Sequence, residues 1–282
     1  METRVTSAAK EVVIGDERPT VLIGERINPT GKKKLAESLQ TGNLEIVRQD
    51  ALAQVQAGAD ILDVNVGTTG VDEVTLLPQA VQAVMDTVDV PLCLDSANPE
   101  ALEAALKVYK GKPLINSVTG EDHSLASVLP LVKKYGAAVI GLVQDEGGVP
   151  SSSERRVTIA HKIVERAAAM GIPVEDIIID CLALTVSADT KAGLVTLETA
   201  RKVRSELGVN MTLGASNFSF GLPDRQLASN TFLSMAIVAG VTCPIVDVVK
   251  ARPVVLATDL ALGRDEYAMR YIKAYRQRQA LT

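Results

Sequence analysis

The chain has 282 residues, 29 Lys plus Arg against 34 Asp plus Glu, a formal net charge of −5 and 47% hydrophobic residues. So much apolar content with so little net charge excludes a disordered chain, and the length suits one large domain. An acidic chain with 5 Tyr, 3 Phe and no Trp lacks the charge and the stacking platforms that nucleic acid requires. No run of about 18 apolar residues marks a membrane span. The first residues, METRVTSAAKEVV, lack the layout of a secretory signal, and a cytoplasmic protein is expected.

Short apolar runs rich in β-formers alternate with stretches of helical period. Glu11–Gly15 (EVVIG) is expected to pair with Thr20–Gly24 as a hairpin that closes the floor of the fold. Strands are predicted at Thr20–Glu25, Asp60–Val66, Pro91–Asp95, Pro113–Asn116, Ala137–Val143, Asp176–Asp180, Asn210–Gly214 and Cys243–Val248. Most are continuously apolar, as strands buried on both faces of a parallel sheet are. Between them, Leu44, Val47, Ala51 and Val55 form one helical stripe, and Leu125, Val128, Leu129 and Val132 another. Asn98-Pro99-Glu100 reads as a helix start, Ser151–Arg156 as a loop capping the next helix, and Gly58, Gly136 and Gly171 as helix stops. Pro130 is expected to kink or shorten its helix, and the DEYAMRYIKAYRQRQ stretch to form a final helix.

Eight strands alternating with helices predict a single (β/α)8 TIM barrel spanning 1–282, with a short N-terminal hairpin. A doubly wound sheet is the alternative, but GERINPTG lacks the GxGxxG spacing that such a sheet places in its first turn. Cys93, Cys181 and Cys243 lie far apart in apolar runs and read as small buried hydrophobes. His123 and His161 fall in amphipathic helical stretches, away from any strand end, and two histidines exclude a histidine-rich metal site.

Barrel chemistry sits where strands end, and there the polar residues concentrate. Strand one ends in Glu25, with Arg26 and Asn28 following. Strand two carries Asp63 and Asn65, two apart and so on one face. The remaining strands end at Asp95-Ser96, Asn116-Ser117, Gln144-Asp145, Asp180, Ser216-Asn217 and Asp247. Any one of these is a plausible N-cap. Together they describe a ring of carboxylates and amides with no cation at its centre. Strand eight runs into VVKARP without glycine, which argues against a phosphate site. Such a ring suits a flat heterocycle with several N–H donors, such as a pterin or guanine edge. A divalent metal on Asp63, Asp95 and Asp180 is the competing use of these oxygens, and a metal-dependent aldolase or lyase the enzyme class it implies.

GERINPTG, LDVNVG, LCLDSANP, INS, IIDCLAL and GASNFSFGLPDR, in this order from Gly24 to Arg225, resemble the pterin-binding methyltransferase family. That family includes methyltetrahydrofolate:corrinoid protein methyltransferases and the folate domain of cobalamin-dependent methionine synthase. The resemblance implies that Asp95, Asn116 and Asp180 hold the pterin edge and that Asp63 and Asn65 line the same pocket. It implies that Asn217 reaches N5 of the folate as the catalytic amide. Glu25, Asn28, Ser216 and Arg225 complete the expected binding set, Arg225 by steadying the loop or meeting the folate tail. No resident metal is implied. Dihydropteroate synthase is a more distant relative. Its GGESTRP-like loop and its late lysine- and arginine-bearing motif are replaced here by NVGTTGVDE and SNFSFGLPDR.

The implied reaction moves a methyl group between N5 of tetrahydrofolate and the cobalt of cobalamin, a corrinoid carried by a separate corrinoid-binding protein, since this chain has no DxHxxG pattern. Co(I) attacks the methyl carbon and N5 departs with its electron pair, so a hydrogen bond or charge at N5 is needed. A folate-binding subunit without turnover and a dihydropteroate synthase-like condensation are the alternatives. A homodimer is the oligomer expected from the resemblance.

Overall fold

The computed structural model describes residues 1–279. Eight parallel strands run in one sheet: β3 (Ile23–Ile27), β4 (Ile61–Val64), β5 (Leu92–Asp95), β6 (Leu114–Thr119), β7 (Ala138–Leu142), β8 (Ile177–Asp180), β9 (Asn210–Thr212) and β10 (Ile245–Val246). Their order is β10-β3-β4-β5-β6-β7-β8-β9, and a bridge between Gly214 and Ile245 joins the two ends. The expected barrel is therefore present.

The predicted hairpin pairs differently. Glu11–Gly15 (β2) is antiparallel to Glu2–Thr6 (β1), with Thr6 opposite Glu11, and not to Thr20–Gly24. Residues 2–6 alternate exposed and buried, the pattern of a half-covered strand, whereas Ile23 is already committed to the barrel by pairing with Ile61. The hairpin still closes the floor. Val5, Val12 and Ile14 pack into the barrel axis with Ile23, Ile61, Cys93, Leu114, Ala138, Ile140, Ile178 and Cys243. Asn210 anchors it, donating from Nδ2 to Thr3 Oγ1 at 2.9 Å and to the Ile14 carbonyl at 3.1 Å. A larger apolar layer fills the space between the strands and the helices outside them.

Helices follow the strands as the periodicity indicates. Among them are α1 (Lys33–Gln40), α2 (Glu45–Ala57), α3 (Glu73–Met85) and α4 (Pro99–Val108). Asn98 caps α4 by accepting from the Glu100 N–H at 2.9 Å. Gly58, at φ +100°, ends α2 where an added Cβ would overlap the Arg252 guanidinium. Then come α5 (Asp122–Tyr135), α6 (Ser153–Ala169, capped by Ser152), α7 (Ala192–Glu206), α8 (Arg225–Ala239), α9 (Val248–Ala261) and α10 (Met269–Gln279). Pro130 does not shorten α5. It stands on the exposed face with Ala126 four residues before it, so water can satisfy the carbonyl that the proline leaves free. Cys93, Cys181 and Cys243 are all buried. No helix among the described residues is long and apolar enough to cross a membrane.

Candidate functional site

Strand alternation assembles the site. Ile23, Ile61, Cys93, Leu114 and Ile178 face the barrel axis, so two residues further along each strand Glu25, Asp63, Asp95, Asn116 and Asp180 face it too. Register keeps them adjacent: Asp63 lies beside Cys93, Asp95 beside Asn116, and Asp180 beside Leu142 and Thr212. The polar residues thus form a layer directly above the apolar plug.

On the β4–β6 side this layer is a hydrogen-bonded network. Asp63 is 2% exposed and accepts from Asn116 Nδ2 at 3.1 Å. Asp63 and Asp95 share a hydrogen bond, and the Asn65 side chain bonds to Asp95. Asn65 is itself oriented, because its Oδ1 accepts the Gly67 N–H at 2.8 Å. Burial, and next the charge of Asp95, push the Asp63 carboxyl well above the ordinary carboxylate range. Burial pushes Asp95 up to about 6, against the lowering effect of the Asn65 and Asp63 hydrogen bonds. Burial pushes Asp180 up to about 7, opposed by the Leu182 N–H that it accepts at 2.7 Å and by the Arg156 charge. The Asn116–Ser117 peptide is cis.

A cavity of about 400 Å³ opens beside this network, lined by Asp95, Ser96, Asn116, Ser117, His123 and Gln144 among others. His123 was expected away from the strand ends. It sits in the first turn of α5, which follows β6 directly, and so reaches the cavity wall.

The β9–β10–β3 side is different in character. A cleft of about 490 Å³ is lined by Glu25, Ser216, Arg225, Asn230, Asp247 and Lys250, with other residues. Glu25 accepts from Ser216 Oγ at 2.9 Å, and burial raises its carboxyl above the usual range. Lys32 donates to the Glu25 and Arg26 carbonyls at 3.2 and 2.8 Å, and Lys250 and Arg26 approach Asp247 at 3.3 and 3.8 Å. The expected ring without cations therefore holds for the β4–β6 arc and fails here. The β3 register shifts between Gly24 and Ile27, where Arg26 lies, and sequence spacing does not reveal such a shift.

Asn217 belongs to the turn Ala215–Asn217 after β9 and is exposed. A Cβ on Gly214 would come within 3.0 Å of Asn217 Nδ2. Gly214 continues the inward series Asn210 and Thr212, so the Asn217 amide leans over the barrel mouth, where a side chain at 214 would otherwise project. Arg225 holds the same loop: it donates to the Ser216 carbonyl at 2.8 Å and lies over the Phe220 ring, 5.3 Å from its centroid. Asn28 is turned back on its own loop, accepting the Thr30 N–H at 3.0 Å, and lines neither cavity. No group of three or more His, Cys, Asp or Glu side chains able to hold a metal ion occurs among the described residues.

Two supporting residues escape sequence reading. Arg156 of α6, 1% exposed, donates to the Cys181 and Leu182 carbonyls at 2.9 and 2.7 Å and so fixes the loop that starts at Asp180. Gln54 of α2, 1% exposed, accepts the Arg26 N–H at 2.9 Å, and only glycine fits opposite it at 24, where a Cβ would lie 2.4 Å from its oxygen. Helix-face polar residues carry no local signature of such long-range partners. A polar residue inside an otherwise apolar stripe, as Gln54 is, is the available hint.

A methylcorrinoid:tetrahydrofolate methyltransferase of Eubacterium limosum is 31% identical over 267 residues, covering 91% of this chain and 96% of that protein. A methionine synthase of Mycobacterium tuberculosis is 30% identical over 89% of this chain, which spans 22% of that longer protein. Among solved structures, a dihydropteroate synthase of Yersinia pestis with a pterin-sulfa conjugate superposes with a TM-score of 0.71 at 17% identity, covering 93% of this chain and 99% of that one. One from Xanthomonas albilineans in complex with 7,8-dihydropteroate gives 0.68 at 18% identity over 92% and 98%. At such identity these likenesses concern the fold. The family model described as pterin binding enzyme matches residues 24–247, from the first barrel strand to the end of the last, and the chain belongs to that family.

Proposed function

We propose that this protein is a methyltransferase that moves a methyl group between N5 of tetrahydrofolate and the cobalt of a corrinoid carried by a separate protein. The observation that carries the reading is the layer of Asp63, Asp95, Asn116 and Asp180 facing the axis, with the Asn217 amide, which has no side-chain hydrogen bond among the described residues, in the loop above it. The methyltransferase of Eubacterium limosum, nearly the same length as this chain, supports it.

In this reading Asp95, Asn116 and Asp180 bind the pterin edge, and Asn65 orients Asp95. Asn217 is the catalytic residue. As the N5–methyl bond breaks, N5 keeps its electron pair and takes up a proton from solvent, while the two electrons of Co(I) form the new cobalt–carbon bond; the reverse step returns that proton to solvent. The Asn217 amide supplies an oriented dipole at N5, and in the opposite direction it holds N5–H with its lone pair toward the methyl group. Glu25, Ser216 and Arg225 shape the cleft that receives the rest of the folate.

We place the protein in the cytoplasm, where its three buried free thiols match a reducing compartment. We also assign it as a homodimer. Helix α8 has no charged residue from Gln226 to Gly240 and exposes Leu227, Thr231, Met235 and Val238 on one stripe, a face that a second copy would cover. Light scattering giving twice the chain mass is the expected result.

The test mixes the protein with 5-methyltetrahydrofolate and cob(I)alamin. Methylcobalamin and tetrahydrofolate are the expected products. Saturable folate binding without turnover would reassign the protein as a binding subunit. Condensation of a pterin pyrophosphate with aminobenzoate would reassign it as a synthase.

A further inference from the structure

Asp180 and Arg156 are joined by a single peptide group. Arg156 Nη1 donates to the Cys181 carbonyl at 2.9 Å, and the Leu182 N–H at the other end of that peptide donates to Asp180 Oδ1 at 2.7 Å. Nη1 also reaches the Leu182 carbonyl at 2.7 Å, and Nε holds the Pro150 carbonyl at 2.9 Å, so the guanidinium ties the β7–α6 connection to the loop after β8. Leu182 sits at φ +54°, a left-handed conformation that residues other than glycine rarely adopt. This turn folds the Leu182 N–H back onto the carboxylate two residues earlier. Asp180 Oδ2 has no donor among the described residues and is not sealed from solvent. We propose, building on the pterin reading, that Arg156 is a positioning residue: through the 181–182 peptide it holds the Asp180 carboxylate charged and turned toward the ligand.

A cation this deep needs a reason. Arg156 is buried and makes no ion pair among the described residues; its acceptors are three backbone carbonyls and, at 3.4 Å, the Thr196 hydroxyl. Burying a charge among neutral groups is costly, and packing alone would be served by an apolar side chain. The carboxylate that its charge reaches is Asp180. Guanidinium, peptide dipole and carboxylate stand head to tail, so each hydrogen bond polarises the next and favours the ionised acid. No other charged side chain among the described residues acts on Asp180. The neighbouring β7 and β9 carry no titratable residue, α7 offers the neutral Thr196, and Cys181 and Cys243 are buried thiols held protonated by that burial. Without Arg156 the Leu182 turn loses its anchor and the carboxyl loses its counter-charge together. A protonated Asp180 would then meet ligand N–H groups with a donor of its own.

Affinity for 5-methyltetrahydrofolate, measured by calorimetry from about pH 6 to about pH 9, tests this. Arg156→Met should weaken binding about tenfold at about pH 7, and the loss should shrink to about threefold by about pH 9, where Asp180 ionises unaided. Arg156→Lys keeps the cation and should hold the wild-type pH profile to within about 0.3 unit. Asp180→Ala removes the receiving group, so adding Arg156→Met to it should cost less than about threefold more. A purely structural role would weaken binding by one factor at every pH and in both backgrounds, which overturns the proposal. So does wild-type affinity in Arg156→Met, or an Arg156→Lys profile displaced as far as that of Arg156→Met. Should Arg156→Met fail to fold, Arg156→Gln, which keeps a donor and loses the charge, takes its place and decides together with Arg156→Lys. If the wild-type protein binds no folate at any pH, the pterin reading falls and the relay with it, whereas folate binding with additive losses sinks the relay alone.

Discussion

The two sides of the barrel mouth use polar residues in opposite ways. Along β4–β6, Asp63, Asp95, Asn65 and Asn116 bond mainly to one another, with Asp63 buried and Asp95 half-buried. Along β9–β10–β3, Glu25, Asp247, Lys250, Arg26 and Arg225 are partly solvated, and their ion pairs are long, at 3.3 to 3.8 Å around Asp247. The first arrangement is rigid and ligand-specific, since an unpaired group in it is costly. The second is adaptable and contributes little per pair. A recognition element and an accommodating cleft can therefore share one rim.

Substitutions should separate the two sides sharply. Asp95→Ala or Asp180→Ala removes charge-assisted hydrogen bonds in a desolvated site and should weaken pterin binding by about 100-fold or more, measured by calorimetry. Unchanged affinity in both variants would break the assignment of the acidic arc. Asn217→Ala, on the loop after β9, should slow methyl transfer by about 100-fold while changing the folate Kd less than about threefold. Equal losses in rate and affinity would make Asn217 a contact only.

The pH response is expected at about tenfold in affinity, with two opposite slopes. Folded Asp95 and Asp180 titrate near about 6 and about 7, above their ordinary value of 3.8. The folded state then holds more protons than the unfolded state between those limits, so the ligand-free protein loses stability as pH rises from about 4 to about 7. Binding runs the other way, because ligand N–H groups want ionised carboxylates. Chemical denaturation of wild type and Asp180→Asn at both ends of this range checks the first slope, which the variant should flatten. The smallest effects belong to the cleft. Arg225→Ala and Lys250→Ala, both exposed, should move folate affinity about threefold.

The sequence made the barrel legible because its strands are continuously apolar and their ends polar, a contrast that survives without any tertiary information. Alternation in twos also sets Asp63 and Asn65 on one face. Pairing partners were less accessible. The hairpin partner of Glu11–Gly15 is not legible, because Glu2–Thr6 has few apolar residues and its burial comes from the barrel floor beneath it. The cations near Asp247 are less legible, because Lys250 reaches it from the first turn of α9 and Arg26 lies where the β3 register shifts. His123 entered the cavity through the short β6–α5 connection, and the roles of Arg156 and Gln54 depend on partners 25 and 28 residues away.

The hairpin that stoppers one end of the cylinder carries a kinetic implication. With Val5, Val12 and Ile14 filling the base, vitamin and carrier protein must use the same doorway. For the proposed reaction this imposes a compulsory sequence: the small substrate enters first, the corrinoid carrier docks over it, and the vitamin departs only after the carrier has withdrawn.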